Sequence, residues 1–263
     1  MISLFYQNYF NGENLHMQRI AFHIQKGGVG KTTLSGNIAH ALAIKGRKTI
    51  MIDCDPQGNL SGWFLKESPK FELADVLNGR AELKDAIVEV HPGLSILPTF
   101  GIGGELKTYA ENKLNDEPFI FEDLSGELAK MGFDVAIYDL SPGMSRLEKC
   151  VILAMDEVIT PLTPEYFGLD GIEIFNEELK KINKNYRKTV KHSKIVVNNL
   201  NHSFKRHNEI YEVYQKMDYD LYTIGQDSKL AESQVYNQSI FEYAPTSRVV
   251  PEIERLAIAI GRP

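Results

Sequence analysis

Short apolar runs bounded by turn-forming residues recur along the chain, at Arg19–Gln25, Lys48–Asp53, Leu94–Pro98, Phe133–Asp139, Glu157–Pro161, Lys194–Asn198 and Tyr219–Ile224. They read as strands. Between most of them lie segments with helical periodicity: Thr32–Lys45, Phe119–Lys130, Ser145–Met155, Asp170–Asn185, Lys205–Gln215, Ser228–Tyr236 and Val250–Ile260. Strands alternating with helices predict an α/β fold, a doubly wound and mostly parallel sheet flanked by helices. Such sheets bind ligands at the carboxyl ends of their strands, which directs attention to the loops after Gln25, Asp53 and Asp139. The stretch from Phe64 to Lys113 is the least regular and reads as a surface subregion. Neither a linker-like segment nor an internal repeat divides the chain.

With 263 residues, 43% of them hydrophobic, the chain is long enough for one large domain with a buried core, placed here at residues 17–263. The formal net charge of −6 excludes a protein that is basic throughout, so any nucleic-acid contact must come from a local patch. Cys54 and Cys150 are the two cysteines, and neither a leader pattern nor a bilayer-length apolar stretch is visible, so a reducing cytoplasm is the expected compartment. Residues 1–16, MISLFYQNYFNGENLH, contain no Lys or Arg and precede Met17, where the regular pattern begins. An upstream extension, a short packed helix and a partner-binding tail are the readings open for this segment.

The first strand runs into Lys26-Gly27-Gly28-Val29-Gly30-Lys31-Thr32-Thr33 and then into the Ala-rich helical stretch LSGNIAHALA. Glycines let backbone N–H groups turn inward around phosphate oxygens, and the following helix N-terminus adds positive dipole. In such a loop Lys31 reaches the terminal phosphates and Thr32 offers its hydroxyl to magnesium. The alternative is a glycine turn ahead of a helix. The common Walker pattern has glycine where Gln25 stands, and a second lysine, Lys26, is unnecessary for simple triphosphate binding.

The second strand ends in Asp53-Cys54-Asp55-Pro56-Gln57-Gly58-Asn59, with two carboxylates facing one side. A carboxylate near a γ-phosphate orients an attacking water or holds a magnesium-bound one, whereas in isolation the same residues make a turn. The strand Phe133–Asp139 has the form of a Walker B strand, whose terminal carboxylate binds magnesium through water. Asn198 and Asn199 close a later strand, where amides are common turn formers.

The stretch QKGGVGKTT resembles the deviant Walker A motif of the ParA/MinD superfamily, and Ile52–Asn59 resembles the ParA motif IDxDPQGN. Pro161–Gly171 is similar to the family's P-x-x-x-E-Y-x-x-x-x-G segment, and Lys229–Ser233 and Ala244–Ser247 to its R-L-x-E-A and A-P-x-S elements. The resemblance covers the chain from about Arg19 onward. It implies a magnesium-dependent ATPase, weak without its partner, in which Lys26 reaches the nucleotide of the other subunit in an ATP-dependent homodimer. It also implies that Asp55 serves the hydrolytic water, that Asp53 and Asp139 belong to the magnesium site, and that Asn198 and Asn199 contact the adenine. Pro161–Gly171 would lie at the dimer face. The family pattern has two prolines after the Walker B aspartate, and Ser141 replaces the first of them here.

Within the superfamily, neither the basic amphipathic tail of MinD, nor the cluster cysteines of the nitrogenase iron protein, nor a glutaminase domain, nor an N-terminal helix-turn-helix is expected. A small Soj-like ParA remains. Its implied work is plasmid or chromosome partition: nonspecific double-stranded DNA binding in the ATP state, on the nucleoid, with hydrolysis stimulated by a ParB-like partner and no membrane. The alternative is an ATPase that positions a protein cargo without DNA. Lys205, Arg206 and Lys229 fall near positions where relatives contact DNA. The run Lys180, Lys181, Lys184, Arg187, Lys188, Lys191 and Lys194 reads either as a second basic patch or as a solvated helix face.

Overall fold

A computed structural model describes residues 17–165 and 168–261. The N-terminal segment 1–16, together with Tyr166 and Phe167 of the Pro161–Gly171 stretch, lies outside the described residues. The strands are β1 (Gln18–Phe22), β2 (Thr49–Cys54), β3 (Val88–His91), β4 (Leu94–Leu97), β5 (Val135–Leu140), β6 (Glu157–Leu162), β7 (Lys191–Leu200) and β8 (Asp220–Gly225). They form one sheet in the order β3-β4-β2-β5-β1-β6-β7-β8. All neighbours are parallel except β3 and β4, which pair as an antiparallel edge hairpin. The sequence pattern missed β3 because its four residues, VEVH, are short and only half-buried.

Helices cover both faces, so the central strands β2 and β5 are buried at every position. Their side chains alternate between two cores. Ala136, Tyr138 and Leu140 join one with Ile50 and Ile52, whereas Val135 and Ile137 join the other with Met51, Ile20 and Phe22. The first core is closed by α3 (Leu73–Leu77), α4 (Leu83–Ala86), α5 (Leu106–Asn112), α6 (Ile120–Lys130), α7 (Arg146–Leu153) and α8 (Gly168–Tyr186). The second is closed by α1 (Lys31–Ile44), α2 (Asn59–Phe64), α10 (Ser228–Val235), α11 (Ile240–Tyr243) and α12 (Val250–Ile260). The remaining helix, α9 (Lys205–Tyr214), packs with α8 against β7 through Ile210, Tyr214, Ile172, Ile195 and Val197.

Helix α1 is buried on nearly all sides, with Leu34, Ile38, Ala39 and Leu42 among its enclosed residues. It follows β1 directly and packs between the sheet and α12, so the loop joining β1 to α1 is anchored at both ends. No helix of the described residues is long and apolar enough to cross a membrane.

Candidate active site

Parallel register sets the acidic residues. Phe22 is level with Asp139, and Asp139 is level with Asp53, so β1, β5 and β2 deliver the glycine loop and two strand-end carboxylates to one edge of the sheet. Gly28 and Gly30 take positive φ, 73° and 94°, a conformation that costs glycine little and turns successive N–H groups the same way. Gly30 must also lack a side chain because a Cβ there would lie 2.2 Å from the Asn198 amide nitrogen. That amide donates to the Val29 carbonyl at 2.9 Å, so Asn198 props the loop from beneath.

The loop opens on a cavity of about 880 Å³ lined by Gly27, Gly28, Gly30, Lys31, Thr32, Thr33, Asp55 and Gln57, and also by Trp63, Gln234 and Asn237. Neither Asn198 nor the exposed Asn199 lines it. Lys31 is buried and its ammonium donates to the Lys26 carbonyl at 2.8 Å. Burial lowers its pKa, and the nearby charges of Asp139, Asp55 and Glu148 oppose that shift.

Asp53 and Asp139 are fully buried. Burial, with Asp139's charge adding to it, pushes Asp53 up to about 8. Asp139 is pushed up to about 7, again chiefly by burial, while hydrogen bonds from Thr32 and Ser35 act the other way. Asp53 is held by the protein: its Oδ2 accepts from the Ser61 N–H at 2.8 Å and the Ser61 hydroxyl at 2.7 Å, and its Oδ1 accepts from the Asp55 N–H. Asp139 accepts from Ser35 through Oδ1 at 3.0 Å and leaves Oδ2 buried without a partner. A buried carboxylate oxygen without a donor is costly, and a hydrated divalent cation beside Thr32 satisfies it. The residues therefore fit magnesium: Thr32 and Asp139 would hold it, whereas the oxygens of Asp53 are already engaged by the protein. Asp55, also held up by burial, keeps one oxygen on the Gln57 N–H and lines the cavity.

Lys26 does not line this cavity. Its ammonium instead pairs with Glu165 Oε2 at 2.5 Å, across the mouth of the loop. Far from the glycine loop in sequence, the segment around α10 and α11 is stitched onto it. The Gln234 side chain donates to Thr33 Oγ1 at 3.0 Å, the Ile240 N–H to Asn37 Oδ1 at 2.9 Å, and the Trp63 indole to the Gln238 carbonyl at 2.8 Å. Sequence reasoning did not single out Gln234, Asn237 or Trp63, because no motif links them to the loop.

Lys205, Arg206 and Lys229 are exposed, in the first turns of α9 and α10. Those helices follow the adjacent strands β7 and β8, so the three residues share the sheet edge with the glycine loop. Arg206 acts electrostatically on Glu165, and Lys205 stands 3.6 Å from Glu209. The Lys180–Lys194 run falls at the other edge, where α8 ends and β7 begins, and much of it is paired. Lys181 bonds Glu178, Lys188 bonds Glu122, and the largely enclosed Lys194 bonds Glu157.

A separate cluster joins His40, His91 and Glu242. His40 and His91 stack at 4.3 Å with an interplanar angle of 11°, His40 Nδ1 meets Ser239 Oγ at 2.7 Å, and Glu242 lies 3.3 Å from His91 Nε2. Stacked parallel rings do not aim their lone pairs at one ion, so the cluster reads as a tie between α1, the edge hairpin and α11.

A strand, a two-fold left-handed glycine loop, a buried lysine and two register-matched aspartates define a P-loop nucleoside triphosphatase. Comparison with known proteins narrows this. The family model described as an AAA domain matches residues 17–192. An uncharacterized protein of Borreliella burgdorferi is 49% identical over 246 residues, covering 93% of this chain and 99% of the relative. The chromosome-partitioning ATPase Soj of Treponema pallidum is 30% identical over 165 residues, 62% of this chain and 64% of that protein. The septum site-determining protein MinD of Pyrococcus horikoshii, complexed with Mg-ADP, superposes with a TM-score of 0.78 at 25% identity, covering 93% of this chain and 96% of that one. The chain belongs to the ParA/Soj-like partition ATPases of the ParA/MinD superfamily.

Proposed function

We propose that the protein is an ATPase whose ATP-bound homodimer binds double-stranded DNA without sequence preference and partitions a plasmid or chromosome, with a ParB-like partner stimulating hydrolysis. One observation carries this reading: the loop holds two lysines, and only one faces its own phosphate cavity. Lys31 is the cation for the bound nucleotide, whereas Lys26 is directed outward onto Glu165 at the protein surface. A second subunit brought up to this face offers Lys26 a triphosphate, a far stronger anion than a single half-exposed carboxylate.

In this reading Lys31, the glycine-loop N–H groups, Thr32 and Thr33 cradle ATP. Thr32 and Asp139 would hold magnesium, whose charge when bound would offset that of the phosphates; Asp53 braces the neighbouring loop, and Asp55 orients the attacking water. Gln234 and Asn237 are the better placed to meet the nucleoside than Asn198 and Asn199. The DNA surface comprises Lys205, Arg206 and Lys229, doubled by dimerisation, and the nucleoid within the cytoplasm is where such a dimer resides.

Separation and ion pairing of the Lys180–Lys194 run favour one second reading, in which the same switch positions a protein cargo without DNA. Binding of two unrelated duplexes by Asp55→Ala with ATP, across a salt series, separates the two. Partition predicts equal binding to both duplexes, lost with ADP, falling steeply with salt, and weakened by Arg206→Glu with Lys229→Glu. An ATP dimer that ignores DNA even at low salt leaves cargo positioning as the account.

A further inference from the structure

The departure at Ser141 has a structural partner. Between β5 and α7 the chain makes a short loop, Ser141-Pro142-Gly143-Met144-Ser145, and α7 opens with a capping box. Ser145 is the N-cap: its hydroxyl accepts from the Leu147 N–H, while Glu148 Oε2 accepts from the Ser145 N–H at 2.7 Å. A capping-box glutamate ordinarily uses one oxygen and stands in solvent. Glu148 is only 2% exposed, and its second oxygen, Oε1, accepts a hydrogen bond from the Ser141 hydroxyl. One carboxylate thus ties both ends of the loop that follows Asp139.

That carboxylate also borders the site of hydrolysis. A second cavity, of about 550 Å³, is lined by Asp55, Gln57, Lys107, Ser141, Pro142 and Glu148 among others. Asp55, Gln57 and Pro142 line the phosphate cavity as well, so the two cavities adjoin at Asp55. The Glu148 charge acts on both Lys31 and Asp55. A proline at 141 has no hydroxyl and cannot make this bond; serine replaces ring stiffness with a charge-assisted hydrogen bond that can open and close.

We propose that Ser141 and Glu148 form a latch that sets the loop after Asp139 against Asp55, making Glu148 a positioning residue for ATP hydrolysis and more than a helix cap. The inference rests on the ATPase reading above. With the latch closed, Pro142 lines the phosphate cavity beside Asp55. With it open, the loop drifts, and small misplacements of a reacting group cost rate steeply.

The test measures nucleotide affinity through the fluorescence of Trp63, the single tryptophan, which lines the phosphate cavity, and steady-state hydrolysis of Mg-ATP. Ser141→Ala removes the latch donor. Glu148→Gln keeps the capping geometry, since glutamine serves at this position, but removes the charge. Both should lower kcat by about tenfold or more while ATP affinity stays within about twofold. Ser141→Thr, which restores a hydroxyl, should recover most of the rate. Ser145→Ala weakens the cap and leaves the latch, so it should lower Tm with kcat retained. Unchanged kcat in both Ser141→Ala and Glu148→Gln, or an equal rate loss in Ser145→Ala, overturns the latch. If Ser141→Ala fails to fold, Glu148→Gln and the Ser141→Thr rescue still decide it. The ATPase reading fails separately, and takes the latch with it, if Asp55→Ala hydrolyses ATP as fast as the wild type.

Discussion

The loops after β2 and β5 end neighbouring strands in register, each in a fully buried aspartate, yet the protein treats the two carboxylates differently. Asp53 is enclosed by hydrogen bonds from Ser61 and the Asp55 backbone, and Asp139 is left with one oxygen unpartnered. Proximity to phosphate alone does not assign a role. In the proposed function the carboxylate completed by its own protein braces the site, and the one left incomplete is the one that would take the ion.

The largest effect should come from the cation that both loops face. Lys31→Ala removes a buried ammonium from among Asp139, Asp55 and Glu148, so ATP affinity should fall at least about a hundredfold by Trp63 fluorescence. Retained affinity would show that the glycine loop holds phosphate by its backbone alone. The next effect divides the two aspartates. Asp139→Asn should cut magnesium-dependent hydrolysis by about a hundredfold or more with little loss of Tm. Asp53→Ala strands the Ser61 N–H and hydroxyl, and should destabilise the fold by about 2–3 kcal/mol in denaturant titration. The reverse pattern would exchange the assigned roles.

A smaller effect follows from protonation. Asp53 and Asp139 titrate higher in the folded protein than in the unfolded chain, about 8 and about 7 against 3.8. The folded state therefore keeps protons that the unfolded state has released, and their stabilising contribution is lost as pH rises toward 8. His23, His40 and His192 are buried and depressed to about 3, 4 and 4, so the folded state holds fewer of their protons and stability is lost as pH falls below 6.5. As pH rises past 6.5 the histidines lose their protons in the unfolded chain as well, and the carboxylates come to dominate. Without nucleotide, the free energy of unfolding should fall between pH 6.5 and 8, by up to about 1.4 kcal/mol per pH unit for each proton involved, and Mg-ADP should flatten that slope. A slope unaffected by Mg-ADP would remove the ion from these carboxylates.

Much of this site was legible because the chain writes it in contiguous pieces. Lys26–Thr33, Asp53–Asp55 and Asp139 each follow an apolar strand, and parallel pairing brings three such strand ends together. What was not legible depends on contacts between distant residues. Gln234, Asn237 and Trp63 enter the cavity because α10, α11 and α2 pack on α1, which no local pattern declares. The bond from Asn198 to the Val29 carbonyl, which ties β7 to the glycine loop, likewise joins residues far apart in the chain. The basic run after Lys180 stayed open between a patch and a solvated face, since its carboxylate partners Glu122 and Glu157 lie elsewhere in the sequence. The sequence also could not place Lys194 at the opposite edge of the sheet from Lys205, which is a consequence of β7 running between them.

The central claim is that the two lysines of the loop serve two subunits, Lys31 its own nucleotide and Lys26 its partner's. Light scattering with the hydrolysis-deficient Asp55→Ala protein addresses it directly. With Mg-ATP this variant should be a dimer, and with Mg-ADP a monomer. Adding Lys26→Ala should leave ATP binding intact by Trp63 fluorescence and return the protein to a monomer. A dimer of unchanged affinity without the Lys26 ammonium would contradict the account.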